Sequence, residues 1–508
     1  MTKQAANSTI AKNTLALYFR MLLNMGVTFF TSRIVLDALG TEDYGIYNVV
    51  GGIIYLFTFL NTAMSSATQR YLTFEIGRNA NEERMQEVFS ASLGIHAMIS
   101  LAILILGETL GLYLLNGQMV IPAERAFAAN WVYQCSVVSC CIGVVALPLN
   151  ALIISHEHMG AFAWISILDV TLKLAVAYLL YITASDKLVV YSSLILLVSL
   201  STPTLYLLYC KRHFPECKYR RTKDTRLFKE MGNFAGWNLI GNLSYIGFTQ
   251  GINILLNVFF GPAINAARGV AVQVQGALGQ FSRNFQMAAN PQITKRYAAG
   301  DLKSMHDLLF KSSKFSFFLL FMVSLPVMLH TETILDWWLV EVPAHTVPFF
   351  RIIICISAIG VLADPMNICA QATGHIKKYQ LVEGGTLLLI VPAAYLALKF
   401  THVPETVFVV HLFITVAVQL LRIIMLRNMV SLPAGQYAKK VLLRIAAVVA
   451  ATLVALWLVG TAMPAALENF FACTALSIAT SSLAIYGIGL TRAERHFMLN
   501  FAKARITR

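Results

Sequence analysis

This sequence predicts an all-α polytopic membrane protein, and three observations carry the prediction. Hydrophobic residues make up 57% of the 508 and charged residues only 13%, whereas soluble domains are about 25% charged. Apolar runs of the roughly 20 residues needed to cross a hydrocarbon core of about 30 Å recur from end to end. The Lys and Arg residues behind the net charge of +14 gather in alternate connections between those runs. That is a topological pattern, not a nucleic-acid-binding patch.

About fourteen spans are expected, centred near residues 25, 56, 102, 140, 171, 199, 245, 278, 318, 360, 389, 415, 450 and 479. Span one (about Asn13 to Ala38) is unusually polar and carries Arg20 and Arg33. Span two leads into Thr68-Gln69-Arg70-Tyr71. Spans three, four and six are apolar, and span five holds Asp169 and Lys173 at i, i+4, the spacing of a helical ion pair. The longest polar interruption, Lys211 to Lys229, follows span six. Span seven carries Asn238, Asn242, Thr249, Asn253 and Asn257. Span eight (about Asn265 to Gln292) carries Arg268 and Arg283 and leads into Thr294-Lys295-Arg296-Tyr297. Span nine ends in the broken stretch Pro326 to Trp338, span ten contains Asp364 and Pro365, and Glu383 opens span eleven near an interface. Residues 1–210 are thus expected to form an N-terminal six-helix lobe and 211–229 a basic cytoplasmic linker. Residues 230–428 would form a C-terminal six-helix lobe, and 429–508 an extra helix pair with a basic tail.

Starting from a cytoplasmic N-terminus, the even-numbered connections collect the basic residues. Arg70, Arg78 and Arg84 follow span two; Lys211, Arg212, Lys218, Arg220 and Arg221 follow span six; Lys295, Arg296 and Lys303 follow span eight. The opposite loops hold little beyond Arg125, Lys187 and Lys399. This positive-inside bias predicts both termini in the cytoplasm and an even number of spans. No cleavable leader pattern precedes span one, so it is expected to remain. The eight cysteines are scattered without CxxC spacing and read as small apolar residues. No GxxxxGK[ST] or GxSxG occurs, and His156-Glu157-His158 lacks HExxH spacing, so neither ATP hydrolysis nor a metal is expected.

Arginine at membrane depth costs about 2.5–3.5 kcal/mol or more unless it faces a partner or a watery cavity. Arg20 and Arg283 lie about eight and nine residues from the cytoplasmic ends of spans one and eight, and Arg33 and Arg268 lie near the outer ends. Asn24, Asn61, Gln69, Asn238, Asn242, Asn253, Gln275, Gln286 and Asn290 recur at helical spacing in spans one, two, seven and eight. These stripes are expected to line one central cavity, although helix–helix hydrogen bonding uses the same residue types. The matching Leu39-Gly40 and Phe260-Gly261 turns, with the matching Thr-x-Arg-Tyr exits, suggest duplicated halves, a common transporter plan. Asp364, and secondarily Asp169, are candidates for coupling to H⁺ or Na⁺.

Two stretches carry a family resemblance: Arg33-Ile34-Val35-Leu36-Asp37-Ala38-Leu39-Gly40 leading into Asp43-Tyr44-Gly45-Ile46-Tyr47, and Ala372-Thr373-Gly374-His375-Ile376-Lys377-Lys378-Tyr379-Gln380. With the topology, they resemble the multidrug/oligosaccharidyl-lipid/polysaccharide (MOP) exporter superfamily, specifically its O-antigen and polysaccharide flippase branch. That resemblance implies a MATE-like fold and flipping of undecaprenyl-pyrophosphate-linked oligosaccharide across the bacterial inner membrane by alternating access. It also implies pyrophosphate-binding roles for Arg20 and Arg283 first, then Arg268 and Arg33. The expected partners are that substrate, membrane lipid and polysaccharide polymerase machinery, with a monomeric protein and no cofactor. O-antigen flippases usually have twelve spans, and the extra pair resembles the lipid II flippase branch. A MATE-type small-molecule antiporter remains an alternative, and a polysaccharide polymerase or ligase a weaker one, since no long outer loop is present.

Overall fold

The computed structural model describes residues 3–55, 59–117, 119, 121–220, 224–339, 342–462 and 469–496, and the regular structure among those residues is helical, with no strand. The chain divides into two compact units, Thr9–Asn242 and Leu243–Arg508 with Met1–Ser8. Twelve described helices are long and apolar enough to cross a membrane. Two of the fourteen expected spans fall outside that set for identifiable reasons. Residues 56–58, at the centre of expected span two, lie outside the described residues. The helix that forms span eight runs 37 residues but is too polar along its length.

The first unit contains α1 (Lys3–Tyr55), α2 (Phe59–Gly77), α3 (Glu82–Leu106), α4 (Leu112–Gly117), α5 (Ala126–Ser155), α6 (Met159–Ile182), α7 (Lys187–His213) and the start of α8 (Thr225–Phe260). Helix α1 is broken at Gly40, whose φ of 79° and ψ of 170° suit only glycine. Asn81 caps α3 by accepting from the Arg84 N–H, and Asp186 caps α7 by accepting from the Leu188 and Val189 N–H groups. Between α3 and α4 a π-turn, Gly107–Gly111, makes room for the buried Tyr133, whose hydroxyl donates to the Gly107 carbonyl at 2.7 Å. Helix α5 is the hub and packs on α2, α3 and α7, while α6 packs on α7. One apolar cluster joins Ile46, Val50, Ile103, Val132 and Leu188, and another joins Val35, Ala38, Val176, Leu180 and Val198.

The second unit continues from α8 into α9 (Pro262–Ala298), α10 (Leu302–Leu329), α11 (Thr331–Trp338), α12 (Thr346–Ala372), α13 (Lys377–Leu388), α14 (Ile390–Thr401), α15 (Thr406–Val430), α16 (Ala434–Tyr437), α17 (Leu443–Ala462) and α18 (Phe470–Ala484). Gly261 separates α8 from α9 with φ 83° and ψ −178°, the same conformation as Gly40. The two hairpin turns that the sequence pairs therefore have one backbone solution. Helix α12 packs on α9, α10 and α15, and the core gathers Phe248, Leu256, Leu320, Phe349, Phe350, Ile354 and Phe408. Helix α18 packs on α10, and beyond its end Glu494 forms a buried ion pair of 2.7 Å with Lys314 of α10. Large apolar side chains such as Phe400, Phe413, Trp457 and Leu483 are exposed, as lipid contact requires.

Candidate functional site

In the first unit the polar stripe of α1 faces α6 and its leading turn. The Asn13 amide donates to the Glu157 carbonyl at 3.0 Å, and the Asn24 amide to the Ser166 hydroxyl at 3.0 Å. Between them the half-buried Arg20 guanidinium lies 4.7 Å over the Phe162 ring, which stacks on Tyr206. An aromatic face lowers the cost of a cation at that depth. Farther along, Tyr181 donates to Asp37 at 2.6 Å, while Arg33 is exposed. Asp169 and Lys173 form the i, i+4 ion pair at 2.7 Å, and Asp169 also accepts from the Thr202 hydroxyl. Gln69 and Asn242 are half-buried and Asn238 is buried; the side chain of Asn61 lies outside the described residues. His156 pairs with Glu216 and stacks on Phe214 at 4.4 Å, so it is held structurally.

Two connections of this unit are pinned by ion pairs that the sequence did not announce. Arg125 bridges Asp43 (2.5 and 2.8 Å) and Asp186 (2.6 and 3.1 Å). Hydrogen bonding from Arg125 holds the Asp186 carboxyl below the usual carboxylate range. Elsewhere Arg84 contacts Glu75, Glu87 and Asp224 within 3.7 Å.

In the second unit the two arginines of α9 differ sharply. Arg268 is buried and donates to the Asn253 side chain and, at 3.3 Å, to the Thr249 carbonyl, both on α8. Two residues read separately as cavity-lining are thus each other's partners. Arg283 is exposed, and its one hydrogen bond among the described residues runs to the Gly276 carbonyl at 2.6 Å. It has no ion pair there. Of five guanidinium N–H donors, four remain available. Gln286, one turn on, is buried and bonds to the Val361 carbonyl at 3.1 Å. Asp364 is half-buried on α12, Gln275 is half-buried, and the buried Asn290 side-chain oxygen has no hydrogen-bond partner.

Sequence reasoning missed a buried network beside Asp364. Glu383, expected at an interface, is 9% exposed and pairs with Arg422 at 2.5 Å, because α13 packs against α15 and brings the two together. Arg422 also donates to Gln419 at 3.2 Å, and Tyr379 donates to Asn367. The available signal was one acid and one base, each set inside an apolar span away from its charged ends.

Solved structures share this architecture. An outward-facing multidrug resistance MATE family transporter of the MOP superfamily superposes with a TM-score of 0.71, 14% identity, and coverage of 85% of this chain and 98% of its own. The fold is that of the MOP-superfamily MATE transporters. A MOP superfamily transporter from Pyrococcus furiosus, whose structure is described as having a binding pocket of reverse polarity, gives 0.69, 15%, 85% and 98%. A MATE protein in the straight conformation gives 0.68, 16%, 85% and 99%. In sequence, a protein of Yersinia pseudotuberculosis provisionally named an O-antigen export protein is 28% identical over 86 residues. That match spans 17% of this chain and 19% of the relative's length. No protein-family model matches the chain. In chemical terms, the half-buried guanidinium of Arg20 on α1 and the exposed one of Arg283 on α9 are each of a type suited to an oxyanion.

Proposed function

We propose that this multi-pass membrane protein is a flippase for undecaprenyl-pyrophosphate-linked oligosaccharide, working by alternating access in surface polysaccharide or O-antigen export. The observation that carries the reading is Arg283, an exposed guanidinium on a membrane-associated helix with one hydrogen bond and no ion pair among the described residues, the Asp364 carboxylate acting on it only at longer range. Arg20 supplies a second cation, held over Phe162. Arg283 would hold the pyrophosphate, and Arg20, with Arg33 in a secondary role, is the corresponding anion-binding candidate of the first unit. The buried Arg268 chiefly binds α8 to α9. Asn24, Gln275 and Asn290 offer amides for sugar hydroxyls, and the lipid chain stays in the bilayer. The partial match to an O-antigen export protein supports the same substrate class.

Asp364, half-buried on α12 one turn beyond the Val361 carbonyl that Gln286 of α9 engages, is the proposed H⁺ or Na⁺ coupling residue ahead of Asp169, whose carboxylate is already engaged by Lys173 and Thr202. The basic connections support a bacterial inner-membrane location with both termini in the cytoplasm. Complementation of a flippase-deficient strain tests the proposal, scored by lipid-linked intermediate. Wild-type protein should clear the intermediate and Arg283→Ala should let it accumulate; failure of the wild-type protein would refute the assignment. A small-molecule antiporter is the second reading, favoured by the multidrug MATE neighbour. It predicts drug resistance that depends on Asp364 and is indifferent to Arg283.

A further inference from the structure

Gly276, Gly279 and Arg283 lie on one face of α9, at steps of three and four residues. Helical side chains lean toward the N-terminus, and Arg283 follows that direction for two turns until its Nη2 donates to the Gly276 carbonyl at 2.6 Å. The guanidinium reaches that carbonyl by lying flat across Gly279. A Cβ at position 279 would sit 2.8 Å from Nη1, 3.3 Å from Cζ and 3.5 Å from Nη2 of Arg283, and these three atoms of one side chain are its nearest neighbours. A Cβ at position 276 would meet nothing within 4 Å. One glycine is therefore shaped around the arginine, while the other offers only its carbonyl.

We propose that Gly279 is a positioning residue that seats Arg283 in a fixed pose, spending one donor on Gly276 and presenting the others to an anionic headgroup. The inference rests on the anion-binding reading of Arg283 given above. Arginine otherwise loses rotamer freedom when it binds a ligand, and a pose fixed beforehand removes that cost. Because an added methyl at 279 meets the end of a flexible side chain, it displaces the arginine and leaves the helix intact.

The test uses the purified full-length protein and inorganic pyrophosphate as the probe, with binding read by calorimetry. Gly279→Ala is expected to weaken binding roughly two- to tenfold, the range for ordering one long side chain. Gly276→Ala should bind as the wild type does, and Gly279→Ala should add nothing in an Arg283→Ala background. Wild-type affinity in Gly279→Ala, or an equal loss in the Arg283→Ala background, would overturn the seat. If Arg283→Ala itself binds pyrophosphate normally, the anion reading fails, and mass-spectrometric phenylglyoxal labelling of Arg283 then judges the seat alone. A labelling rate changed by Gly279→Ala but not by Gly276→Ala supports it; a rate unchanged by either overturns it.

Discussion

Replacing Glu383 by Gln isolates the electrostatics of the buried network in the second unit. The two side chains are 11% and 7% exposed, and the Glu383 oxygen receives Arg422 Nη2 at 2.5 Å and Nε at 3.2 Å. Glutamine preserves the volume and one acceptor but leaves Arg422 with only Gln419 and the more distant Asp364 to offset its charge. Removing one partner of a buried pair typically costs about 3–5 kcal/mol, because the other charge stays desolvated. With about 2–4 °C of melting temperature per kcal/mol for a domain of this size, the loss is roughly 6–20 °C. The double replacement Glu383→Leu with Arg422→Met takes both charges out and should recover most of it, since an apolar pair of similar volume is often neutral or better. Thermal unfolding in detergent, followed by intrinsic fluorescence, reads both. A Glu383→Gln melting point within about 2 °C of wild type, or a double variant no better than the single, would refute the reasoning.

Other outcomes follow from the same geometry. Arg268→Met should lower the melting temperature, by about 1–3 kcal/mol of lost and unsatisfied hydrogen bonding, and Asn253→Leu should do the same; a loss of transport with unchanged stability would show that Arg268 acts on substrate instead. Alanine at Gly40 or at Gly261 forces a side chain into a glycine-only conformation and should cost about 1–3 kcal/mol at each site, measured by thermal unfolding. Asp186 has a folded pKa below its unfolded value of about 3.9. Its contribution is complete above that unfolded value and is lost as pH falls through the lower folded one. Asp186→Asn should therefore destabilise at neutral pH and flatten the acid limb of a melting-temperature profile between about pH 5 and 2; an unchanged acid limb would contradict the Arg125 clasp.

Much of the fold was legible because its causes are local. Apolar runs of membrane length mark the spans, and Gly40 and Gly261 mark matching turns that share one backbone conformation. The polar stripe of α1 was also readable, since Asn13, Arg20 and Asn24 follow helical spacing and do face one neighbour. What the sequence could not supply was the identity of the neighbour. Arg268 and Asn253 each look like cavity residues until α8 and α9 fold back on one another and bring them together. Glu383 and Arg422 stand 39 residues apart on different helices, so no periodicity relates them. The count of spans fell short at α9 for the opposite reason. The polar residues that make the helix interesting also dilute its hydropathy below that of a lipid-facing segment.

The proposed function holds that guanidinium groups on this MATE-like fold bind a pyrophosphate-linked lipid during transport, and its most direct measurement is flipping in proteoliposomes. A fluorescent undecaprenyl-pyrophosphate-linked sugar is loaded, and the fraction reaching the opposite leaflet is read by quenching. The account predicts transport by the wild-type protein and at least a tenfold lower rate for Arg283→Ala, as loss of a charged hydrogen bond of about 1.5–3 kcal/mol requires, with a further loss when Arg20→Ala is added. Wild-type rates in the double variant, or transport of an organic cation in place of the lipid, would contradict it.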